Sequence, residues 1–141
     1  MIATDAFNEY QKATGAVADS NTGLLRITSS QYSNLKSLFF NIAGVRLSWV
    51  SLNRMYSHIA FLQVSYELTA NAQIWPRLLN TQIGGTASGI YLVVNDLGSR
   101  SGEGLDFTLG YAFLERFYSV FDTGNQRVGF ATTPYTDATT N

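Results

Sequence analysis

FTLGYAFLERFYSVFDTGNQRVGFA occupies residues 107–131, and the reading of its Asp122-Thr123-Gly124 decides the rest of the chain. An aspartate between two apolar runs is either a reactive carboxylate or the head of a turn. SVF before it and RVGF after it are strand-like. Between such runs Asp accepts backbone hydrogen bonds, and Gly124 or Asn125 tolerates positive φ. The whole stretch, extended back to Leu105, therefore predicts a strand, a short helix capped by Gly110, a second strand, a turn and a third strand. The polar tail from Thr132 is expected to fray.

Outward from this stretch the pattern alternates short helices with short strands. ATDAFNEYQKATGA predicts a helix capped by Thr4 or Asp5, with Ala6, Phe7 and Tyr10 as its apolar stripe and Gly15 as its stop. LLRIT predicts a strand, SSQYSNLKS a helical turn, and LFFNIAG a strand with Phe40 and Ile42 on one face. YELTANAQIWP alternates at Tyr66 and Leu68 before breaking at Pro76, and GIYLVVN (89–95) reads as a buried strand. The expectation is a mostly β fold.

The 141 residues amount to one domain, with 45% hydrophobic residues to form its core. Charged residues are only 13%, so Ser, Thr, Asn, Gln and Gly must carry much of the surface. A net charge of −1 gives no attraction to nucleic acid or an anionic membrane, and neither is expected as a partner. The absence of cysteine removes disulfides and thiolate metal sites, and a single histidine, His58, argues against a His-based metal centre or a Ser-His-Asp triad. No cofactor and no metal ligand is expected. Asp96, Glu103 and Asp106 gather near one loop as a possible carboxylate pair, but among glycines they read better as solvated loop caps. IGGTASG (83–89) lacks the lysine of a phosphate loop and reads as a surface loop, and Trp75-Pro76 reads as a plug at a core edge.

The stretch quoted first resembles the C-terminal end of pepsin-like aspartic peptidases. Thr108-Leu109-Gly110 fills that family's hydrophobic-hydrophobic-Gly element, with Thr108 a departure, and the FL..FYSVFD run and N.RVG.A strand follow in order. SNLKSLFFNIAG (33–44) is similar to another strand of the family, with Lys36-Ser37 where Leu-Pro-like residues are common. IATDAFN.Y..ATGA, ELTANAQIWPR, IGG.AS and GEGLDF are similar to segments of its secreted fungal members. The resemblance implies the C-terminal lobe of the family's double-β-barrel fold, with short helices and truncated at its N-terminus. It also implies an endopeptidase working at acidic pH, in which two aspartates share a proton and activate a water.

In that family the catalytic triplet precedes the hydrophobic-hydrophobic-Gly element and is followed by Ser or Thr. Asp122 comes twelve residues after Gly110 and its triplet is followed by Asn125, so by order as well as by turn chemistry Asp122 is not catalytic. The resemblance places the true triplet just before Ile2, and both catalytic aspartates and the N-terminal lobe outside this chain. The chain alone is then expected to be inactive, with no catalytic residue of its own. Asn95, Leu97 and Thr108 are implied as substrate contacts by their spacing from Gly110, and Leu109 and Gly110 as the structural motif. The implied partners are a peptide or protein substrate in the intact parent and the missing N-terminal lobe. The chain carries no signal-peptide pattern, and the parent is expected to be extracellular.

VRLSWVSLNRMYSHIAFLQ (45–63) has no counterpart in the family pattern and holds Arg46, Arg54 and His58 but no acid. Every valine codon begins GT and Gln63 can be encoded CAG, so the stretch reads as a translated, frame-preserving intron. The rival reading is an amphipathic insertion, since Val45, Trp49, Leu52, Tyr56 and Ile59 recur at steps of four and three. Such a stretch would make the chain a non-catalytic β module that binds a membrane or a protein partner. On either reading it should protrude from the hairpin that it interrupts.

Overall fold

The computed structural model describes residues 1–47 and 60–140. Residues 48–59, with His58 and most of the amphipathic stripe, lie outside the described residues, as does the expectation that this stretch protrudes.

The first helix, α1, spans Thr4–Thr14 and ends at Gly15, whose φ of 66° is the left-handed cap that glycine adopts without a Cβ clash. Its N-cap is Ala3, not Thr4 or Asp5, and has no capping side chain. Asp5 instead turns outward and accepts hydrogen bonds from the Ser101 amide and hydroxyl at 3.0 and 2.9 Å. A three-stranded antiparallel sheet follows in the order β1 (Val17–Ala18), β2 (Leu25–Ile27), β5 (Ile90–Leu92). Helix α2 (Ser29–Ser33) starts at a capping box: Gln31 N–H donates to Thr28 Oγ1 and Thr28 N–H to Gln31 Oε1, at 3.2 and 2.7 Å. Phe7, Tyr10, Tyr32 and Leu35 pack onto the first core cluster, Ala16, Leu25, Ile27, Ile74, Ile90 and Leu92.

β3 (Leu38–Leu47) and β4 (Ala60–Leu68) form a two-stranded antiparallel sheet. Leu38 lies opposite Leu68, Phe40 opposite Tyr66 and Ile42 opposite Val64. The ladder slips between Ala43 and Val45, then continues with Val45, Arg46 and Leu47 opposite Leu62, Phe61 and Ala60. Both ends of the atypical stretch are thus hairpin backbone. The second hairpin pairs β6 (Phe117–Asp122) with β7 (Arg127–Thr132) behind α3 (Tyr111–Leu114). Between the hairpins sits the second core cluster: Leu68, Ala72, Phe113 and Phe117, with Leu38, Phe40, Tyr66, Leu109 and Phe130 against it. Its rings are mostly edge to face, with Phe113 and Phe117 stacked at 4.5 Å.

Three further expectations are corrected. The described chain is not predominantly β and does not close into a barrel; its strands form three separate small sheets. Closure requires every strand to have two neighbours, and β3–β4 and β6–β7 stand as isolated pairs. The strand predicted from Leu105 is reduced to a bridge between Phe107 and Ile2, flanked by the Ala3–Asp106 and Thr108–Met1 backbone hydrogen bonds, because only residues 1–3 run alongside it before α1 begins. The tail is anchored instead of frayed. Arg116, 7% exposed, donates to the carbonyls of Tyr135 (3.2 Å) and Ala138 (2.7 Å) and to Asn71 Oδ1 (3.1 Å). Asn71 in turn donates to the Thr139 carbonyl at 3.0 Å, and the buried Thr136 hydroxyl donates back to the Arg116 carbonyl.

Candidate functional site

Ile2 pairs on one side with Asp96 in parallel and on the other with Phe107 in antiparallel fashion. Its amide donates to the Asn95 carbonyl at 3.0 Å, its carbonyl accepts from Leu97 N–H at 2.8 Å, and Thr108 N–H donates to the Met1 carbonyl at 2.9 Å. Asn95, Leu97 and Thr108 therefore meet at one crossing of three extended segments. Ile2 and Ala3, 7% and 1% exposed, form its buried centre. Leu109 packs against the second core cluster, and the Gly110 carbonyl receives the first helical bonds of α3 from Phe113 and Leu114, both at 3.0 Å. A Cβ at Gly110 would meet no atom within 4 Å, and its φ of −95° is open to any residue.

Beside the crossing runs a groove of ≈ 390 Å³ whose lining includes Met1, Trp75, Thr108, Gly110 and Tyr111. Tyr111 is 88% exposed. Sequence reasoning did not single it out; its only sequence signal is an aromatic placed directly after the Gly110 motif. The Trp75 amide donates to the Tyr91 carbonyl at 2.7 Å, and the residue is part of the groove lining.

The carboxylates near this face are not paired with each other. Asp96 accepts from Thr4 Oγ1 at 2.7 Å and from Gly98 N–H at 2.9 Å. These bonds, the Gly98 amide foremost, hold its carboxyl below the usual range. Asp106 accepts from the Gly102 amide and Glu103 from the Arg100 amide, each closing its own loop turn. Among the described residues no group of three or more His, Cys, Asp or Glu could hold a metal ion. IGGTASG forms a loop tied by Asn80, which is 1% exposed and donates to the carbonyls of Thr86, Ala87 and Gly89.

Asp122 lies on the other hairpin. Asn125 N–H reaches its Oδ1 at 3.2 Å, Asn125 Nδ2 its Oδ2 at 2.8 Å, and Arg127 Nε the same oxygen at 2.7 Å. The Asn125 side chain first, and the Arg127 guanidinium next, lower its pKa. Thr123–Asn125 form a single 3₁₀ turn, and the left-handed residue that closes it is Gln126 at φ 51°, not Gly124 or Asn125.

Residues 1–133 match the profile of the family described as eukaryotic aspartyl protease. The chain belongs to that family. It is 60% identical over its full 141 residues to polyporopepsin of Irpex lacteus, and 31% identical over 121 residues to human gastricsin. The crystal structure of the aspartic proteinase from Irpex lacteus superposes with a TM-score of 0.81 at 60% identity. All of the chain is covered in the polyporopepsin and crystal-structure comparisons and 86% of it in the gastricsin one. The chain spans only 36% of the Irpex lacteus proteins and 24% of gastricsin.

Proposed function

We propose that the chain is part of the C-terminal lobe of an acid endopeptidase and does not hydrolyse peptide bonds by itself. The observation that carries this reading is the engagement of Asp122. Three donors from its own turn occupy both carboxylate oxygens, so the one Asp-Thr-Gly of the sequence serves the β6–β7 connection. Gly110 supports the partial-lobe half of the reading: among the described residues no atom gives a steric reason for a glycine there. A glycine without an internal reason fits a close approach by polypeptide that this chain does not contain.

In the intact parent one aspartate takes a proton from water as the water attacks the scissile carbonyl carbon, and the other stays protonated beside it. The parent's substrates are peptides and proteins in an extended cleft, with apolar side chains flanking the cut bond. Asn95, Leu97 and Thr108, held on one rigid crossing, line that cleft, and the N-terminal lobe closes its far side. The parent is secreted, and neither nucleic acid nor a membrane is among its partners.

The test is incubation of the purified chain and of Asp122→Asn with casein at acidic pH. Neither is expected to release peptides. Cleavage by the wild-type chain that the substitution abolishes would make Asp122 catalytic and overturn the reading.

A further inference from the structure

Residues 98–106 form a loop whose two ends are fixed and whose middle is not packed. At one end Ile2 N–H donates to the Asn95 carbonyl at 3.0 Å and Leu97 N–H to the Ile2 carbonyl at 2.8 Å. At the other, Ala3 N–H donates to the Asp106 carbonyl at 2.8 Å and Thr108 N–H to the Met1 carbonyl at 2.9 Å. Between these anchors no residue is buried. Gly98, Gly102 and Gly104 hold φ of 84°, 82° and 103°, turns that glycine exchanges for an extended form at little steric cost. Arg100 stands exposed in the middle, between Ser99 and Ser101. Two ties join this middle to α1. The Thr4 amide donates to the Ser99 carbonyl at 2.8 Å, and Asp5 Oδ1 accepts the Ser101 amide at 3.0 Å and hydroxyl at 2.9 Å. The bonds from Arg100 N–H to Glu103 Oε2 and from Gly102 N–H to Asp106 Oδ1 stay within the loop.

Exposed loops of small and polar residues are where proteases cut, because such a segment opens without disturbing the core. We propose that the bond joining Arg100 to Ser101 is a processing site for an endopeptidase selective for basic side chains, with Asp5 as the latch that controls access to it. An exposed guanidinium on a glycine-flexed loop suits a pocket with a carboxylate at its base. The other basic residues of the described chain are placed less well for such an enzyme. Lys12, Arg26, Arg46, Arg77 and Arg127 lie in helices or strands, and Arg116 is buried. Lys36 is outside these elements, but its carbonyl is tied to the buried Gln73 Nε2 at 2.9 Å. Hydrolysis adds water across the peptide C–N bond, leaving a carboxylate on Arg100 and an ammonium on Ser101. That ammonium forms where Asp5 already accepts the Ser101 amide, so the latch turns from a hydrogen bond into an ion pair. The two pieces stay together. Phe113 and Phe117 of the C-terminal piece pack with Leu68 and Ala72 of the other, and Thr108 N–H remains on the Met1 carbonyl. Cleavage therefore yields a two-chain form and not the loss of the β6–β7 hairpin.

The test is brief digestion of the 141-residue chain by trypsin at neutral pH, with the cut after Arg100 followed by mass spectrometry. Cleavage there is expected, and it should be roughly three- to tenfold faster in Asp5→Ala, which removes both bonds of an exposed latch. Ser101→Ala, at an exposed position, loses only the hydroxyl bond and should fall between the two. Arg100→Gln should abolish the cut. Cuts after Arg26 and Arg127, inside β2 and β7, gauge opening of the whole fold and should not accelerate in either latch variant. On size exclusion under native conditions the 101–141 piece should elute with the N-terminal piece. An uncut Arg100 in wild type and both latch variants would overturn the proposal. So would unchanged rates in both latch variants, acceleration at Arg26 and Arg127 equal to that at Arg100, or separation of the two pieces.

Discussion

Arg127 Nε sits 2.7 Å from Asp122 Oδ2 across the β6–β7 turn, and these residues are also the last paired positions of the ladder. The guanidinium and the Asn125 amide use the carboxylate as a clasp for the hairpin. The clasp is exposed on the arginine side, so its strength depends on the charge of Asp122 and not on burial.

The pH dependence of that clasp has a definite sign. Asp122 has a lowered folded pKa, so its contribution is complete above the ordinary aspartate value of about 3.9 and is lost as pH falls through the folded value. Asp122→Asn should therefore be less stable than wild type at pH 6 in urea melts, with the gap narrowing as the pH falls below the ordinary aspartate value. A gap that widens in acid would contradict the assignment.

Phe113 is 3% exposed and contacts Phe40, Tyr66, Phe117 and Phe130. Phe113→Ala should lower unfolding free energy by about 3–5 kcal/mol, since one ring serves both hairpins and the void cannot collapse onto either. Denaturant titration measures it; a loss below about 1 kcal/mol would show that the two hairpins do not share a core.

Gly89→Ala tests the loop beneath β5. A methyl group there would enter the Tyr91 ring, which is 1% exposed and bonded through its hydroxyl to Thr86 N–H at 2.9 Å. With the ring fixed, a cost of roughly 1–3 kcal/mol is expected. Gly98→Ala makes a contrasting control, since its φ of 84° carries backbone strain but no atom lies within 4 Å of the added Cβ. Gly89→Ala alone should perturb the near-ultraviolet tyrosine signal.

Arg116→Met should release the tail. The substitution strands the carbonyls of Tyr135 and Ala138 and the Asn71 Oδ1 without their charged donor. Hydrogen bonds to a charged group are worth about 1.5–3 kcal/mol, so the stability loss should be in that range, and trypsin-independent proteases should clip residues 133–140 first. A tail equally resistant in both proteins would mean that Asn71 and Thr136 hold it without the arginine.

Local chemistry made much of this fold legible. The stripe of Phe7 and Tyr10 and the stop at Gly15 mark α1, and the alternation about Phe40 and Tyr66 marks a pair that the ladder places directly opposite. What escaped was set by partners distant in sequence. GIYLVVN shortens to Ile90–Leu92 because β2 offers only three residues to pair with it. Asn95, Leu97 and Thr108 converge because residues 1–3 pass between their segments, a juxtaposition about a hundred positions apart that no periodicity records. Nothing in FLERFYS singles out Arg116, and two of its acceptors are backbone carbonyls, which every residue type carries and no pattern can flag. Gln73, fully buried, binds the Tyr10 hydroxyl and the carbonyls of Lys36 and Leu68 in the same silent way.

The fastening of the tail differs in kind from that of the carboxylate-tied loops. Asp5, Asp19, Asp96 and Asp122 hold their turns as anions, and each loosens when it gains a proton. The Arg116 guanidinium instead grips neutral carbonyl oxygens, so no carboxylate takes part in those two bonds. In a souring medium the molecule would therefore slacken unevenly, its carboxylate-tied loops opening while its last residues stay moored to the aromatic core.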